Sequence, residues 1–418
     1  MKQLLAYCLS IILCVSFTGC MENYLDLYPE DKITSASFPE NESDIKLLLN
    51  GVYAQLREKE VYNQGLFGFG ITDGATPNAF NWGTDEVFNK LGAGRLSSSD
   101  GGVVTYRWKR CYEIISRANY LLACMDLVDL SEEAKAKYSG ETHFLRGLAY
   151  SVLAETYGGV PIILTNISTE EARSLKRASL EETWQQALDD YEVAITNLGV
   201  DAPEPGRATK GAALGMKMRA YLYQGKYKEV LSCVEQIDAL KKYGLFHSYE
   251  GLFDPANENN KEVLFDIQYI EGENSQGSYI DQYCGTGTGS WTRGSRYVPT
   301  DDLVAAYETI DGSPVDPENP YENRDPRLGF TAVLPGSYFL GYRFPNYLYP
   351  GGAFNHAGNR LKHLSTRKYR IQDESKLPPS GQSYINDIIL RYADVLLSKA
   401  EAIIETNGSV ADAIAILN

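Results

Sequence analysis

Apolar residues return at intervals of three and four along much of this chain, and the stretches between show no such period. From Ser43 to about Leu56, the residues Ile45, Leu48, Leu49, Val52 and Leu56 fall on one face of a helix. Trp108, Cys111, Tyr112, Ile115, Asn119, Leu122 and Met125 line a second helix. Phe144, Leu145, Leu148, Val152 and Leu153 line a third, which Gly158-Gly159-Val160-Pro161 stops. Ser179 and Glu182 form a capping box ahead of a face made by Trp184, Leu188, Tyr191, Ile195 and Leu198. A helix from about Ala208 to Gln224 turns at Gly225-Lys226-Tyr227 into another that ends near Tyr243. The period returns at Ile385 to Glu405. After an Asn407-Gly408 turn, Ser409 opens a last helix carrying Val410, Ala413, Ile414 and Leu417.

Residues 62 to 106 and Leu252 to Leu377 have a different character, with Gly, Asn, Ser, Pro and isolated aromatics. Within the second stretch, Glu262 to Ile267 and Phe330 to Leu334 read as short strands, and Thr300 caps a short helix reaching Tyr307. Helix, tight turn, helix, with small and aromatic residues at the contacts, is the style of tetratricopeptide repeats, though no strict period of about 34 residues survives. The expected fold is mostly α: irregular tetratricopeptide-like helical hairpins packed with a loop-rich ligand-binding region containing a few short strands. The scaffold falls mainly in 43–60, 103–243 and 385–418, and the loop-rich region in 62–102 and 252–377. The last helix reaches Asn418 with its apolar face uncovered, as a truncated chain would.

The N-terminus changes this picture. Lys2 precedes an apolar run from Leu4 to Val15, which ends at Phe17-Thr18-Gly19-Cys20. The run is too short to span a bilayer and reads as a cleaved secretory signal over residues 1–19. Its end resembles the lipobox of bacterial lipoproteins, which makes Cys20 the acylated first residue of a single domain over 20–418. The 418 residues carry 55 acidic against 39 basic side chains, a net charge of −16, which argues against a nucleic-acid partner. Cys111, Cys124, Cys233 and Cys284 show no CxxC spacing. They are compatible with a disulfide or with buried thiols.

No sequence motif points to catalysis. His143, His247, His356 and His363 form no metal-ligand spacing, and there is no nucleophile elbow, phosphate-binding loop or dinucleotide fingerprint. Gly285 to Gly289 reads as a flexible loop. Two acids brought together by folding would leave no local signature, so a surface glycoside hydrolase stays as a lesser alternative. No cofactor is expected, and an oxygen-ligated metal would leave only a weak trace.

Several segments, taken in order, resemble the SusD/RagB family of outer-membrane nutrient-binding lipoproteins. They begin with Cys20-Met21-Glu22-Asn23-Tyr24-Leu25-Asp26-Leu27 and Pro29-Glu30-Asp31-Lys32-Ile33. Next come Glu141 to Tyr150 and Tyr157-Gly158-Gly159-Val160-Pro161. Asp311-Gly312, Arg324 to Leu328, and Leu390 to Leu397 with Ala400-Glu401-Ala402 complete them. The resemblance implies a non-catalytic protein at the outer membrane, held in lipid through Cys20. It implies capture of oligosaccharides, or peptides in some members, and delivery to a SusC-like TonB-dependent transporter. Family chains usually continue past the helix at Ser409.

Thirty tyrosines suit a surface that receives partly polar ligands. Sugar rings need flat aromatic faces and nearby amide, carboxylate or guanidinium groups. Phe80, Asn81 and Trp82 supply these within Asp73 to Asp85, and Tyr283, Trp291, Arg293 and Tyr297 supply them within Tyr279 to Tyr297. Trp291 is the first choice, with a loop-pinning role as the competing reading. The aromatic segment Tyr338 to Phe354 fits a transporter contact or a packed loop. Trp108 and Trp184 are assigned to the core, and Arg324 and Arg327 to holding a turn.

Overall fold

The computed structural model describes residues 38–57, 73–81, 90–97, 99–272, 277–278, 280, 297–339, 342–343, 364–369, 371, 373–378 and 382–417. Its helices are α1 (Glu42–Ala54), α2 (Val103–Cys124), α3 (Glu132–Tyr157), α4 (Thr169–Ser174), α5 (Leu180–Asn197), α6 (Lys210–Tyr223), α7 (Tyr227–Ala239), α8 (Asp301–Ala306), α9 (Pro326–Thr331), α10 (Tyr392–Glu405) and α11 (Val410–Leu417). The strands are short: β1 (Ala79–Asn81), β2 (Val263–Ile267), β3 (Tyr297–Pro299), β4 (Ala332–Val333), β5 (Tyr338–Phe339), β6 (Tyr342–Arg343), β7 (Ser365–Thr366) and β8 (Asp387–Arg391). They join as four antiparallel pairs, β1–β3, β2–β8, β4–β7 and β5–β6.

Helix boundaries follow local chemistry. Ser131, Ser179, Thr209 and Thr300 each accept a backbone N–H at a helix start, and Ser179 and Glu182 complete the capping box read from sequence. α3 ends at Gly158, whose φ of 74° and ψ of −140° suit a residue without Cβ. Gly159 has a separate reason to be glycine. A Cβ there would sit 2.0 Å from the Ala178 carbonyl oxygen, so the chain after α3 could not lie against the entry to α5.

Consecutive helices pack on one another, with α3 most extensively on α5, and α10 returns onto α7 and α6. α3 is enclosed on most sides, burying Tyr138, Phe144, Leu145, Leu148, Tyr150, Val152 and Leu153. Each such large apolar side chain contributes about 1.5–3 kcal/mol through burial. A polar seam crosses this core. Asp190 of α5 accepts from Arg146 Nε at 3.1 Å and from its second terminal nitrogen at 2.7 Å. His143 Nδ1 lies 2.7 Å from the same carboxylate, and Arg146 also donates to Asn119 Oδ1 at 2.8 Å. Asn119 in turn donates to the Ile163 carbonyl at 3.0 Å, so the seam ties α2, α3, α5 and the segment after α3 together.

The residues from Ile385 do not begin a helix, as their apolar run suggested. Asp387 to Arg391 form β8, and the helix starts only at Tyr392. Ile388 pairs with Asp266 and Leu390 with Phe265 of β2, and Leu390 seats against Gly215 of α6, where a Cβ would come within 2.3 Å. Tertiary pairing overrides the local period there. Similarly, the strand expected over Phe330 to Leu334 shrinks to Ala332–Val333, because the end of α9 takes Phe330 and Thr331.

Phe144 of the scaffold meets Phe265 of β2 edge-on at 4.8 Å, which couples the helical layer to the irregular layer. That second layer has its own small core of Leu252, Phe253, Tyr369, Ile371 and Ile385. Cys111, Cys124 and Cys233 are buried free thiols, and Cys284 lies outside the described residues. α11 packs on α10 through Ala413 and leaves Val410, Ile414 and Leu417 exposed. No helix among the described residues is long and apolar enough to cross a membrane.

Candidate functional site

The two loop segments selected for their aromatics meet in space. β1 pairs antiparallel with β3, placing Phe80 opposite Val298 and Asn81 opposite Tyr297. Thr300, which caps α8, fastens the ribbon: its N–H donates to the Asn78 carbonyl at 3.0 Å and its hydroxyl to the Pro77 carbonyl, 223 residues away. The Phe80 ring is 42 % exposed although its strand is paired, so it presents an apolar face to solvent. Trp82, Tyr283, Trp291 and Arg293 lie outside the described residues, as does Cys20. Asn81 and Tyr297 are placed through their strand backbones.

Beneath this ribbon lies a cavity of about 510 Å³ between the helical and irregular layers. Asp73, Asn78 and Ala79 border it on one side, with Pro299, Leu303 and Tyr307 beside them. Arg107, Ser151, Glu155, Trp184, Arg219 and Tyr223 form the scaffold wall, and Tyr249, Lys368, Tyr369 and Asp387 the other. Trp184 is buried, as its helical position implied, yet it also lines this space and meets Tyr223 edge-on at 6.5 Å. Five aromatic side chains and a mixture of donors and acceptors therefore face one volume, which is of ordinary ligand-site size.

The electrostatics of the wall follow from burial. Desolvation pulls the Lys368 ammonium down to about 8, with the Arg391 charge adding to this and Asp73 opposing it. Its Nζ stands 4.5 Å from the centroid of Phe253, 5.4 Å from that of Tyr369 and 5.9 Å from that of Tyr249. Burial pushes the Asp387 carboxyl up to about 7, helped by repulsion from Asp266. It also raises Asp73, against the pull of Lys368. Arg219 is held in place by Asp394 at 2.5 Å and by the Ile389 carbonyl at 3.0 Å. Among the described residues, no group of three His, Cys, Asp or Glu side chains is arranged to hold a metal ion.

Arg324 holds its turn: its guanidinium donates to the carbonyls of Tyr307, Pro320 and Val304 at 2.5–3.1 Å. Arg327 pairs with Asp325 in the same turn. Tyr338 and Phe339 form one arm of the β5–β6 hairpin, and the remainder of that aromatic segment past Arg343 lies outside the described residues.

Residues 23–222 match the family described as "Starch-binding associating with outer membrane", and residues 261–418 match the SusD family. The chain belongs to the SusD/RagB family. A SusD-like protein of Formosa agariphila is 26 % identical over 321 residues, covering 71 % of this chain and 58 % of the relative. One of Bacteroides ovatus is 24 % identical over 428 residues, covering 95 % and 71 %. The chain thus spans well under two thirds of the first relative and about seven tenths of the second. Among solved structures, a SusD-like carbohydrate-binding protein of Bacteroides fragilis superposes with a TM-score of 0.78 at 27 % identity, over 88 % of this chain and 75 % of that one. A laminarin-binding SusD-like protein superposes at 0.69 and 20 % identity, over 90 % and 83 %, which establishes the shared SusD fold.

The residues that sequence reasoning missed are those of the cavity wall. Lys368 and Tyr369 sit in a basic stretch with no period. Arg107 sits on a helix whose apolar stripe drew attention to its neighbours. Asp387 was hidden inside the misread helix. Of the selected segments, Asp73, Asn78 and Ala79 do reach the wall, all from the Asp73 to Asp85 stretch.

Proposed function

We propose that this SusD-like chain is a lipid-anchored cell-surface receptor that captures oligosaccharides and passes them to a SusC-like TonB-dependent transporter. The observation that carries this reading is the pairing of two aromatic-bearing loops, distant in sequence, over a cavity walled by aromatic rings and hydrogen-bonding groups. Flat rings stack on the C–H faces of sugars, and the polar groups between them serve the hydroxyls. Trp291, Trp82, Tyr283, Phe80, Asn81, Tyr297 and Arg293 are the proposed contacts. The carbohydrate-binding protein of Bacteroides fragilis and the laminarin-binding protein share its fold, which supports a saccharide ligand and a binding rather than catalytic role. The outer-membrane association in the family description supports the location, and acylated Cys20 would be the tether.

The test is binding of the unlipidated mature protein to a panel of poly- and oligosaccharides by affinity electrophoresis and calorimetry, beside Trp82→Ala and Trp291→Ala. Binding lost in a tryptophan variant, with no new reducing ends, supports a glycan receptor with its site at the ribbon. Binding only to peptides would favour the peptide-binding branch of the family. Because three carboxyls line the cavity, reducing ends are assayed in the same tubes, and their appearance would overturn the binding-only reading.

A further inference from the structure

Arg107 differs from the other buried cations of the scaffold. Arg146 is paired with Asp190 at 2.7 Å, Lys217 with Glu192, and Arg207 approaches Glu141 at 3.6 Å. Arg107 is only 8 % exposed and lines the cavity, yet its Nε is buried with no hydrogen-bond partner, and no acidic side chain among the described residues forms an ion pair with it. A desolvated guanidinium without a counter-charge is costly, and a planar carboxylate is the group that matches its fork. Lys368, the cavity's second cation outside an ion pair, stands among aromatic rings, with Asp73 the carboxylate that acts on it.

We propose that the cavity beneath the β1–β3 ribbon is a subsite for an acidic sugar, with Arg107 binding the carboxylate of a uronic acid residue. The aromatic wall supplies the stacking faces for the same ring, so the site selects a sugar that is both flat-faced and anionic. The opposing acids are placed so as to permit this. Glu155 is exposed to water, where its charge is screened, and burial shifts Asp73 and Asp387 toward their neutral forms. Lys368 adds positive potential to the wall. The choice of a saccharide rests on the glycan-binding reading above, whereas the choice of an anionic one rests on Arg107 alone.

The test uses the mature protein with two matched probe sets, oligogalacturonates and neutral galactose oligomers of equal length, measured by calorimetry at low and high salt. The expected result is at least tenfold tighter binding of the acidic set at 20 mM NaCl, with the gap narrowing at 500 mM. Arg107→Gln is expected to abolish the preference, bringing the acidic set to the affinity of the neutral set, while Arg107→Lys retains part of it. Asp387→Asn, which removes a competing acid at a position that should tolerate the change, is expected to tighten the acidic set several-fold at pH 8. This second variant keeps the test open should Arg107→Gln fail to fold. Equal affinity for both sets, or an acidic preference untouched by both the Arg107 and Asp387 variants, overturns the proposal and leaves the glycan receptor standing. Binding of neither set, with binding to peptides instead, removes both.

Discussion

Replacing Asp190 by alanine should cost far more stability than an average surface change, and the structure gives the size. The carboxylate receives Arg146 through two nitrogens, His143 at 2.7 Å and Gln186 at 3.2 Å, inside a helix–helix contact where Asp190 is 1 % and Arg146 5 % exposed. Removing it strands the guanidinium without a counter-charge, leaving it only the neutral Asn119 at 2.8 Å and the His143 ring at 3.3 Å. Breaking a buried pair in this way costs roughly 3–5 kcal/mol. With an unfolding entropy of about 2 cal/mol/K per residue, a chain of this size loses about 5 °C in Tm for a loss near 4 kcal/mol. Urea unfolding followed by tryptophan fluorescence, with scanning calorimetry beside it, measures both quantities. The double variant Arg146→Met, Asp190→Leu should recover most of the loss, because it replaces the pair by apolar volume and leaves no orphaned charge. A loss below 1 kcal/mol in Asp190→Ala, or a double variant as unstable as the sum of the singles, would refute the reasoning.

Other consequences can be checked in the same way. Gly159→Ala drives a Cβ to 2.0 Å from the Ala178 oxygen, so it should destabilise by about 2–4 kcal/mol in urea unfolding, and a neutral result would show that the contact yields freely. Asp387 is pushed up to about 7 in the folded chain, so the folded state holds its proton between about pH 4 and pH 7 while the unfolded state does not. Its contribution is therefore present at low pH and lost as pH rises through 7. Asp387→Asn should gain about 1–2 kcal/mol over wild type at pH 8 and little at pH 4, after allowing for the water that reaches this half-buried group. A difference independent of pH would contradict it. Phe80→Ala should leave Tm within about 1 °C, because the ring is largely exposed, while weakening saccharide affinity by at least threefold in calorimetry.

The helical scaffold was legible because its signals are local. The Ser179–Glu182 box, the Trp184-Leu188-Tyr191 face and the Gly158-Gly159 stop all lie where the periodicity placed them. The irregular layer was legible only as a composition. Asp387 to Arg391 carries the same Ile-Ile-Leu run that a helix would use, and only a partner more than a hundred residues earlier makes it a strand. For the site, sequence singled out the two loops by their aromatics but had no means of joining them, since strand pairing across such a distance leaves no local mark. The cavity wall was invisible for a further reason. Arg107 and Trp184 sit on helices whose packing explains most of their neighbours, so a role at a void shows only once the other layer is in place.

The β1–β3 ribbon closes one of the longest loops in the molecule with two strands of three residues each. Closing a loop of that length gains nothing until both ends are already positioned by the helices, so the ribbon belongs to the last steps of folding. By the same physics it is among the first places to open. Its amides should exchange with deuterium long before those of α3, and a bound saccharide bridging the two strands should slow that exchange more than anywhere else in the chain. If the proposed function holds, the protein would then register its ligand as a local change in opening rate, while the helices behind the ribbon stay still.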